Sequence, residues 1–339
     1  MARSILAPLL WMNPGAFSLA RLLGTDYGLR CVLFHHIESE PSSFTRGLDV
    51  GISAQRFERL IQFISTHYSP VELETVIAAG QGDHLPERAI LVTFDDAYRS
   101  VATHAAPICK QYGVPAVFFV NGGLVGNTAL SSDNLICWIA NTHGLDVLNA
   151  AARATVGKAT EPMSSVGQVI GEFLPGLSNQ QIQLFLQDAC DRLAIDAAAL
   201  AQEAQLYLNP DDFRELLDCR FELANHTLSH ARCRTLTREE AARQIDGNQE
   251  LLRDLTGRRS RAFSVPYGSP RDLTPDVVRR LESTGEGVVF VVEGLPNPPA
   301  LDLSHIDRVS LKGKNAAEGF WDIEILPRMR VIRETLARG

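Results

Sequence analysis

Short apolar runs alternate along the chain with segments whose apolar residues recur at helical spacing. Most of these runs show no two-residue alternation of apolar and polar side chains, which is typical of strands that are buried on both faces. The pattern predicts six strands, at residues 31–37, 89–94, 116–121, 221–225, 261–265 and 287–292.

The segments between these runs carry helix signals. A capping-box pattern of Thr237 and Glu240 predicts a helix that ends at Gly257. Another helix is expected over residues 275–285, where proline follows a threonine cap. A helix after Ser53 would bury one apolar face, made of Phe57, Leu60, Ile61 and Ile64. Repeated strand–helix units indicate a parallel α/β architecture, either a barrel or an open sheet.

Residues 127–208 interrupt this rhythm, because they contain no good strand and are rich in Ala, Gln, Leu and Asp. We expect them to form a helical insertion that rims the functional site of an α/β core, which would comprise residues 31–126 and 209–311. Residues 1–30 and 312–339 would add helical segments at the two ends. One barrel of about 250 residues plus an insertion fits a chain of 339 residues.

The composition is that of an ordinary soluble protein, with 45% hydrophobic and 21% charged residues. The formal net charge of −8 argues against nucleic acid as a partner, since phosphate binding needs a basic face. The six cysteines form no CxxC pair. We expect them to be reduced, mostly buried thiols in a cytoplasmic protein.

Residues 4–12 form an apolar stretch directly after Arg3. The stretch is too short for a membrane span, and it resembles the hydrophobic part of a signal peptide, but no A-x-A-like cleavage site follows. A packed N-terminal helix is the favoured interpretation, with a peripheral membrane contact and a cleaved signal as alternatives. The expected location is therefore the cytoplasm, including the inner face of the membrane.

Two pairs of chemically active side chains follow predicted strands. Asp95 and Asp96 come directly after the strand in "ILVTFDDAYRS", and His226 and His230 follow the strand in "FELANHTLSH". Adjacent carboxylates repel each other, so a positive charge is expected beside them. Because the carboxyl ends of parallel strands meet at one edge of the sheet, the four side chains should lie together.

One carboxylate and two histidines make a three-ligand set that is typical of catalytic metal sites. The sequence therefore predicts a divalent metal, with zinc favoured by the histidine and carboxylate donors. One of the paired acids would hold the ion, and the other would accept a proton from a water molecule. The HxxxH spacing alone is weak, because it also occurs for packing reasons.

Two further stretches end strands with candidate catalytic groups. In "FSVPYGSPR", the backbone N–H of Tyr267 could stabilise an oxyanion, although an ordinary turn is the alternative. In "CVLFHHIESE", His35 and His36 are neighbours on a strand, so only one of them should face the site. A purely structural histidine is the alternative there.

Together these stretches resemble the polysaccharide deacetylase family, which is carbohydrate esterase family four with the NodB-homology domain. "TFDDAYRS" resembles the TFDDG motif with Ala97 in place of glycine, "NHTLSH" resembles HTxxH, and "FSVPYG" resembles RxPYG. The match spans residues 31–293 without the insertion, and it implies a distorted (β/α)7 barrel that hydrolyses an N- or O-acetyl group of a sugar. The resemblance also implies roles for five residues: base for Asp95, backbone oxyanion donor for Tyr267, and metal ligands for Asp96, His226 and His230.

The chain departs from the family motifs at two points. Ser264 stands where many members have an arginine that orients the base, and we predict that Arg308 supplies this cation to Asp95. The late L-x-H motif, whose histidine protonates the leaving group, has only His305 in roughly its place. "LFH" matches both L-x-H and the early YHxI motif of the poly-N-acetylglucosamine deacetylase branch. His35 is therefore the predicted general acid, with His305 and then His36 as alternatives.

The expected partner is an acetylated sugar or polysaccharide, such as a nucleotide- or lipid-linked amino sugar of surface polysaccharide assembly. Trp138 could stack on the sugar, although a core position is the favoured interpretation. Three other functions compete with this one: an allantoinase-like hydrolase of another C–N bond, a sugar-binding relic without activity, and a magnesium-dependent phosphoryl-transfer enzyme. Two histidines near the acids suit zinc-type chemistry better than the last of these.

Overall fold

The computed structural model describes residues 6–8, 15–21, 27–157, 161–311 and 315–338. Its strands, numbered in chain order, are β1 Arg30–Phe34, β2 His36–Ile37, β3 Gly51–Ile52, β4 Ser69–Pro70, β5 Ala89–Phe94, β6 Ala116–Val120, β7 Phe221–Asn225, β8 Ala262–Ser264, β9 Val288–Val291, β10 Ile306–Asp307 and β11 Val309–Ser310.

The main sheet is parallel and closes into a distorted barrel. Its order is β10-β9-β8-β7-β6-β5-β1-β11, with β4 paired to β5. The continuous stretch 306–310 pairs through β10 with β9 and through β11 with β1, so it joins the two ends of the order. Counting that stretch once leaves seven strand positions around the ring, and the predicted distorted (β/α)7 barrel is confirmed.

All six predicted strands are present, each within about three residues of its expected bounds. Apolar side chains cover both faces of these strands, because alternate residues face either the barrel interior or the surrounding helices. Of the five two-residue strands, β2 falls within the predicted strand at 31–37, while β3, β4, β10 and β11 were not predicted, since a pair of residues carries no periodicity to detect.

Helices surround the barrel and follow most of the strands. The predicted capping box is present, with Thr237 and Glu240 bonding each other's backbone and Gly257 ending the helix in the left-handed region. The α-helices outside residues 127–208 are Ala16–Arg21, Ala54–His67, Leu73–Gly80, Ala106–Gln111, Asp212–Asp218, Arg238–Thr256, Pro275–Thr284, Ala316–Phe320 and Leu326–Arg338. Wider π-turns at Val101–Ala105 and Trp321–Ile325 extend two of them.

The described part of residues 127–208, between β6 and β7, is mainly helical and has its own apolar core. Leu135, Ile139, Leu148 and Phe185 are buried together there, apart from the barrel core. The α-helices of this segment are Ser132–His143, Leu145–Val156, Val166–Gln168, Asn179–Leu193 and Ala197–Ala204, with a π-turn at Val169–Phe173.

The N-terminal prediction falls largely on residues outside the described part of the chain. Within 1–30, the structure describes 6–8, 15–21 and 27–30, and it shows the helix Ala16–Arg21. Among the described residues, none of the helices combines the length and the apolar character that crossing a membrane requires.

Candidate active site

Asp95 is a buried carboxylate at the end of β5, inside the barrel. The Arg308 guanidinium grips it through two hydrogen bonds of 2.7 Å, from Nη1 to Oδ1 and from Nη2 to Oδ2. The Ser264 hydroxyl donates to Oδ2 at 3.0 Å. Arg308 lies between β10 and β11 and is fully buried, so the strand that closes the barrel also carries the counter-ion. The structure thus brings Arg308 to Asp95, as the sequence predicted.

The charge of Asp95 follows from this pairing. Burial raises the pKa of its carboxyl, but the Arg308 guanidinium and the His226 ring outweigh burial and hold the pKa below its usual value. The carboxylate is therefore ionised at neutral pH and ready to accept a proton. Because a low pKa makes it a weak base, it can deprotonate only a water whose own pKa is lowered.

Asp96, His226 and His230 converge next to Asp95. The Oδ1 atom of Asp96 lies 3.6 Å from Nε2 of His226 and 3.5 Å from Nε2 of His230, and one ligand atom of each residue lies within 4.8 Å of the others. The Asp96 side chain remains 16% exposed, so this group opens to the cavity at the barrel mouth.

Several of these residues have a backbone conformation that is unusual for their type. Asp96, Thr227, His230 and Tyr267 all have φ between 58° and 67°. A non-glycine residue in this region costs about 1–2 kcal/mol, and surrounding contacts must hold it there. Around Thr227 this is done by Asn121, whose side-chain amide donates to the carbonyls of His226 and Thr227. The left-handed turns redirect side chains that would otherwise follow the strand alternation.

The three candidate acid histidines lie in different places. His35 lines the cavity together with Asp95 and Asp96. His36 points to the other side of the strand, where its Nδ1 lies 2.7 Å from the Ser100 hydroxyl and its ring stacks on Tyr98. His305 is 39% exposed, lies outside the cavity and pairs with Glu293 at 3.3 Å.

His35 has a pKa below the usual range. Burial lowers it, while the carboxylates of Asp96 and Asp95 act in the opposite direction. A protonated His35 therefore depends on those two charges. The position favours His35 over the other histidines, and its role as general acid stays a prediction.

Tyr267 is held in the turn that follows β8. Its hydroxyl donates to Oδ1 of Asp133 at 3.1 Å, the Arg232 guanidinium lies over its ring at 3.8 Å, and the His230 ring packs 4.7 Å away. Tyr267 and Gly268 line the cavity, so the turn borders the site. The oxyanion role of the Tyr267 N–H stays a prediction.

Sequence reasoning missed Asp133. It lies in the first turn of the helix Ser132–His143, inside a segment without any recognisable motif. Its Oδ2 atom is 3.4 Å from Nδ1 of His230. The only signal in the sequence is an aspartate at the start of a helix, and that is where aspartate is common for capping reasons.

Comparison with known proteins assigns the chain to a family. A family profile described as polysaccharide deacetylase matches residues 82–285, which is more than half of the chain. The chain belongs to the polysaccharide deacetylase family.

Curated relatives of this chain match over shorter stretches. Poly-beta-1,6-N-acetyl-D-glucosamine N-deacetylase of Escherichia coli K12 is 33% identical over 103 residues, which cover 30% of this chain and 15% of that protein. The enzyme of the same name from Staphylococcus epidermidis is 27% identical over 86 residues, which cover 25% of this chain and 30% of that protein. The matches thus span less than a third of either relative.

Solved structures share the fold of this chain over most of its length. The Streptococcus pyogenes deacetylase PplD, solved with acetate, has a TM-score of 0.55 at 12% identity, covering 90% of this chain and 96% of that one. IcaB from Ammonifex degensii has a TM-score of 0.54 at 18% identity, covering 88% and 98%. At these identities the likeness concerns the fold alone.

The donor atoms of this chain fit a divalent metal. Nδ1 of His226 lies 2.8 Å from the main-chain carbonyl of Ser264, which leaves its Nε2 free as a ligand. Nδ1 of His230 faces Asp133 in the same way. Burial raises the pKa of Asp96, but the His230 and His226 rings outweigh it, so this carboxyl is ionised. Two imidazole nitrogens and one carboxylate oxygen are a donor set that zinc sites use.

The cavity beside these donors has a volume of about 260 Å³. Its wall is shared by the barrel, the loop residues Leu48 and Val50, and Ile170 of the helical insertion. Trp138 does not line it. Its ring stacks on that of Phe44, with the centroids 6.3 Å apart, and it packs against the apolar core of the insertion, so the structure favours the packing role.

Proposed function

We propose that this chain hydrolyses the acetyl group of an N-acetylated (or O-acetylated) sugar, using a bound divalent metal for which zinc is the first choice. One observation carries the proposal. An ionised carboxylate, Asp95, is clamped by Arg308 directly beside the converging ligand atoms of Asp96, His226 and His230, at the wall of a cavity.

Four residues of the site have distinct parts in the proposed reaction. When bound, a divalent ion polarises the acetyl carbonyl and lowers the pKa of water. Asp95 takes the proton of the attacking water, and Arg308 keeps this carboxylate ionised and correctly turned. The Tyr267 N–H donates to the developing oxyanion, and His35 protonates the departing amine. The products are acetate and a free amino sugar.

The proposed substrate is an amino sugar of bacterial surface polysaccharide or glycolipid synthesis, linked to a nucleotide or a lipid. Two curated relatives carry the name poly-beta-1,6-N-acetyl-D-glucosamine N-deacetylase, which supports an N-acetylglucosamine unit. The cavity of about 260 Å³ is small beside typical ligand pockets of roughly 300–1,000 Å³. This size suits recognition of one sugar unit at a time.

Acetate release tests the proposal. The purified protein, treated with chelator and then reloaded with single metals, is offered N-acetyl sugars in free, nucleotide-linked and lipid-linked form, together with allantoin as a ureide. We expect acetate from at least one acetylated sugar, activity lost with chelator and restored best by zinc. Ureide cleavage without acetate would favour the allantoinase-like function, and metal binding without any hydrolysis would favour a sugar-binding relic.

We also propose a cytoplasmic location with peripheral contact at the inner membrane face through residues 1–30. The free, buried state of all six thiols supports a reducing compartment. Cell fractionation tests the location: the protein should be found with soluble material and salt-washable membranes. Recovery from the culture medium or the periplasm would contradict it.

A further inference from the structure

Asp133 connects the helical insertion to the candidate metal ligands. It is buried, and it belongs to the helix Ser132–His143 rather than to the barrel. One carboxylate oxygen lies 3.4 Å from Nδ1 of His230, and the other accepts the Tyr267 hydroxyl at 3.1 Å. Among the described residues of the insertion, Asp133 is the one whose side chain makes a polar contact to these ligands.

The Asp133 carboxylate faces Nδ1 of His230, and whether this nitrogen carries the proton defines the tautomer of the ring. Its Nε2 lies 3.5 Å from Oδ1 of Asp96, on the metal-facing side, while Nδ1 faces Asp133. A carboxylate at Nδ1 favours a proton there, which leaves the Nε2 lone pair free for a metal and raises its basicity. His226 obtains the same orientation from a neutral main-chain carbonyl of Ser264. The two ligands are thus oriented by different parts of the molecule.

The start of the Asp133 helix is fixed to the barrel by a buried hydrogen-bond network. The Asn134 amide donates to the Tyr98 hydroxyl at 3.0 Å and to the Phe44 carbonyl at 2.9 Å. The Tyr207 hydroxyl donates to Asn134 Oδ1 at 2.6 Å. Because Asn134, Tyr98 and Tyr207 are buried, Asp133 is presented at a defined place rather than on a mobile edge.

We propose that Asp133 is a positioning residue for the metal ligand His230, so that the helical insertion forms part of the metal centre. The inference rests on the proposed function only in assuming that Asp96, His226 and His230 hold a metal. It predicts a reciprocal effect: the insertion supports metal affinity, and bound metal in turn stabilises the start of the helix Ser132–His143.

Metal titration of the full chain tests this. Zinc affinity is measured by competition with a chromophoric chelator for the wild type, Asp133→Asn and the control Asp212→Asn. Asp212 is buried to the same extent (8% exposed each) and pairs with Arg99 away from the site. We expect Asp133→Asn to weaken zinc binding about 10–100-fold and Asp212→Asn to leave it within about threefold. The cobalt absorption spectrum should change only in Asp133→Asn.

The outcomes separate this inference from the proposed function. A wild type that binds no zinc defeats the metal chemistry itself. If the wild type and Asp133→Asn bind zinc with equal affinity, and unfold at equal temperature in chelator, the positioning role alone is overturned.

Hydrogen exchange covers the case in which Asp133→Asn does not fold. In the wild type, added zinc should slow exchange at the start of the helix Ser132–His143 by about tenfold or more, and leave the helix Pro275–Thr284 unchanged. Equal exchange with and without bound zinc would refute the coupling.

Discussion

Two clusters among the described residues bring three possible metal ligands within 4.8 Å of one another: Asp96, His226 and His230 in the barrel mouth, and Glu293, His305 and Asp307 beside β9 and β10. The first combines two histidines with one carboxylate, and the second combines one histidine with two carboxylates. In the first, the ring nitrogens that face away from the cluster are engaged, so the facing ligand atoms are free.

In the second cluster the central carboxylate is already occupied. Asp307 accepts the backbone N–H groups of Glu293 and Gly294 at Oδ1 and that of Leu295 at Oδ2, all between 2.8 and 2.9 Å. The other two members, Glu293 and His305, form an exposed pair, which contributes little to stability. We therefore rank the first cluster as the candidate metal site, since its donor atoms lack the backbone partners that Asp307 has.

Replacing ligands in the two clusters should give the largest contrast. We expect Asp96→Asn and His226→Ala to abolish zinc retention and to lower kcat/KM by at least about 1,000-fold, because the ion would lower the barrier by several kcal/mol. The matched changes Glu293→Gln and His305→Ala should retain one zinc per chain, measured by elemental analysis. Loss of zinc in the second pair would reverse our ranking of the two clusters.

The second largest contrast should be between the effects on kcat of replacing His35, in the barrel mouth, and His305, in the second cluster. His35→Ala is expected to lower kcat about 10²–10⁴-fold, because it removes the predicted proton donor. His305→Ala should stay within about twofold of the wild type. Steady-state assays of acetate release decide between them, and the opposite ranking would transfer the general acid to His305.

Arg308 and Asp307 are neighbours in sequence, but Arg308 binds Asp95 in the barrel mouth while Asp307 belongs to the second cluster. Without the Arg308 guanidinium, the buried Asp95 carboxylate would lose its counter-ion. Arg308→Met should therefore cost about 3–5 kcal/mol of stability and raise the pKa of Asp95. Since Asp95 must be ionised to accept a proton, the acid limb of the kcat/KM profile should move to higher pH.

Arg328→Met is the matched control for Arg308→Met. Arg328 is equally buried and pairs with Glu324 at 2.7 Å, away from the site. This variant should lose stability without a shift of the acid limb. An unshifted limb in a folded Arg308→Met protein would exclude Arg308 as the partner that sets the charge of Asp95.

Asp307→Asn should show the smallest effect, and one on stability alone. The amide cannot accept three backbone N–H groups, so we expect a loss of about 1–3 kcal/mol in the free energy of unfolding by denaturant. Activity per folded molecule should remain within about twofold. The exposed control Glu293→Gln should change stability by no more than about 0.5 kcal/mol. A large fall in kcat for Asp307→Asn would link the second cluster to catalysis.

Most of the barrel was predictable because its strands and helix ends are local signals. Doubly buried strands appear as unbroken apolar runs, and the helix over Arg238–Thr256 is bounded by a capping box and a glycine. The two-residue strands β3, β4, β10 and β11 were not predictable, because only the strands with which they pair define them. Yet β10 and β11, which flank Arg308, close the barrel.

The sequence by itself determined the chemical inventory of the site: two acids after one strand, two histidines after another, and the strand alternation that lets only one of His35 and His36 enter the cavity. The tertiary structure decided which atoms are free to act. It chose His35 over His36, left the first cluster's donors open while the backbone filled those of Asp307, and brought Asp133 from the insertion to His230. These outcomes depend on contacts between residues far apart in the chain, and local periodicity carries no information about them.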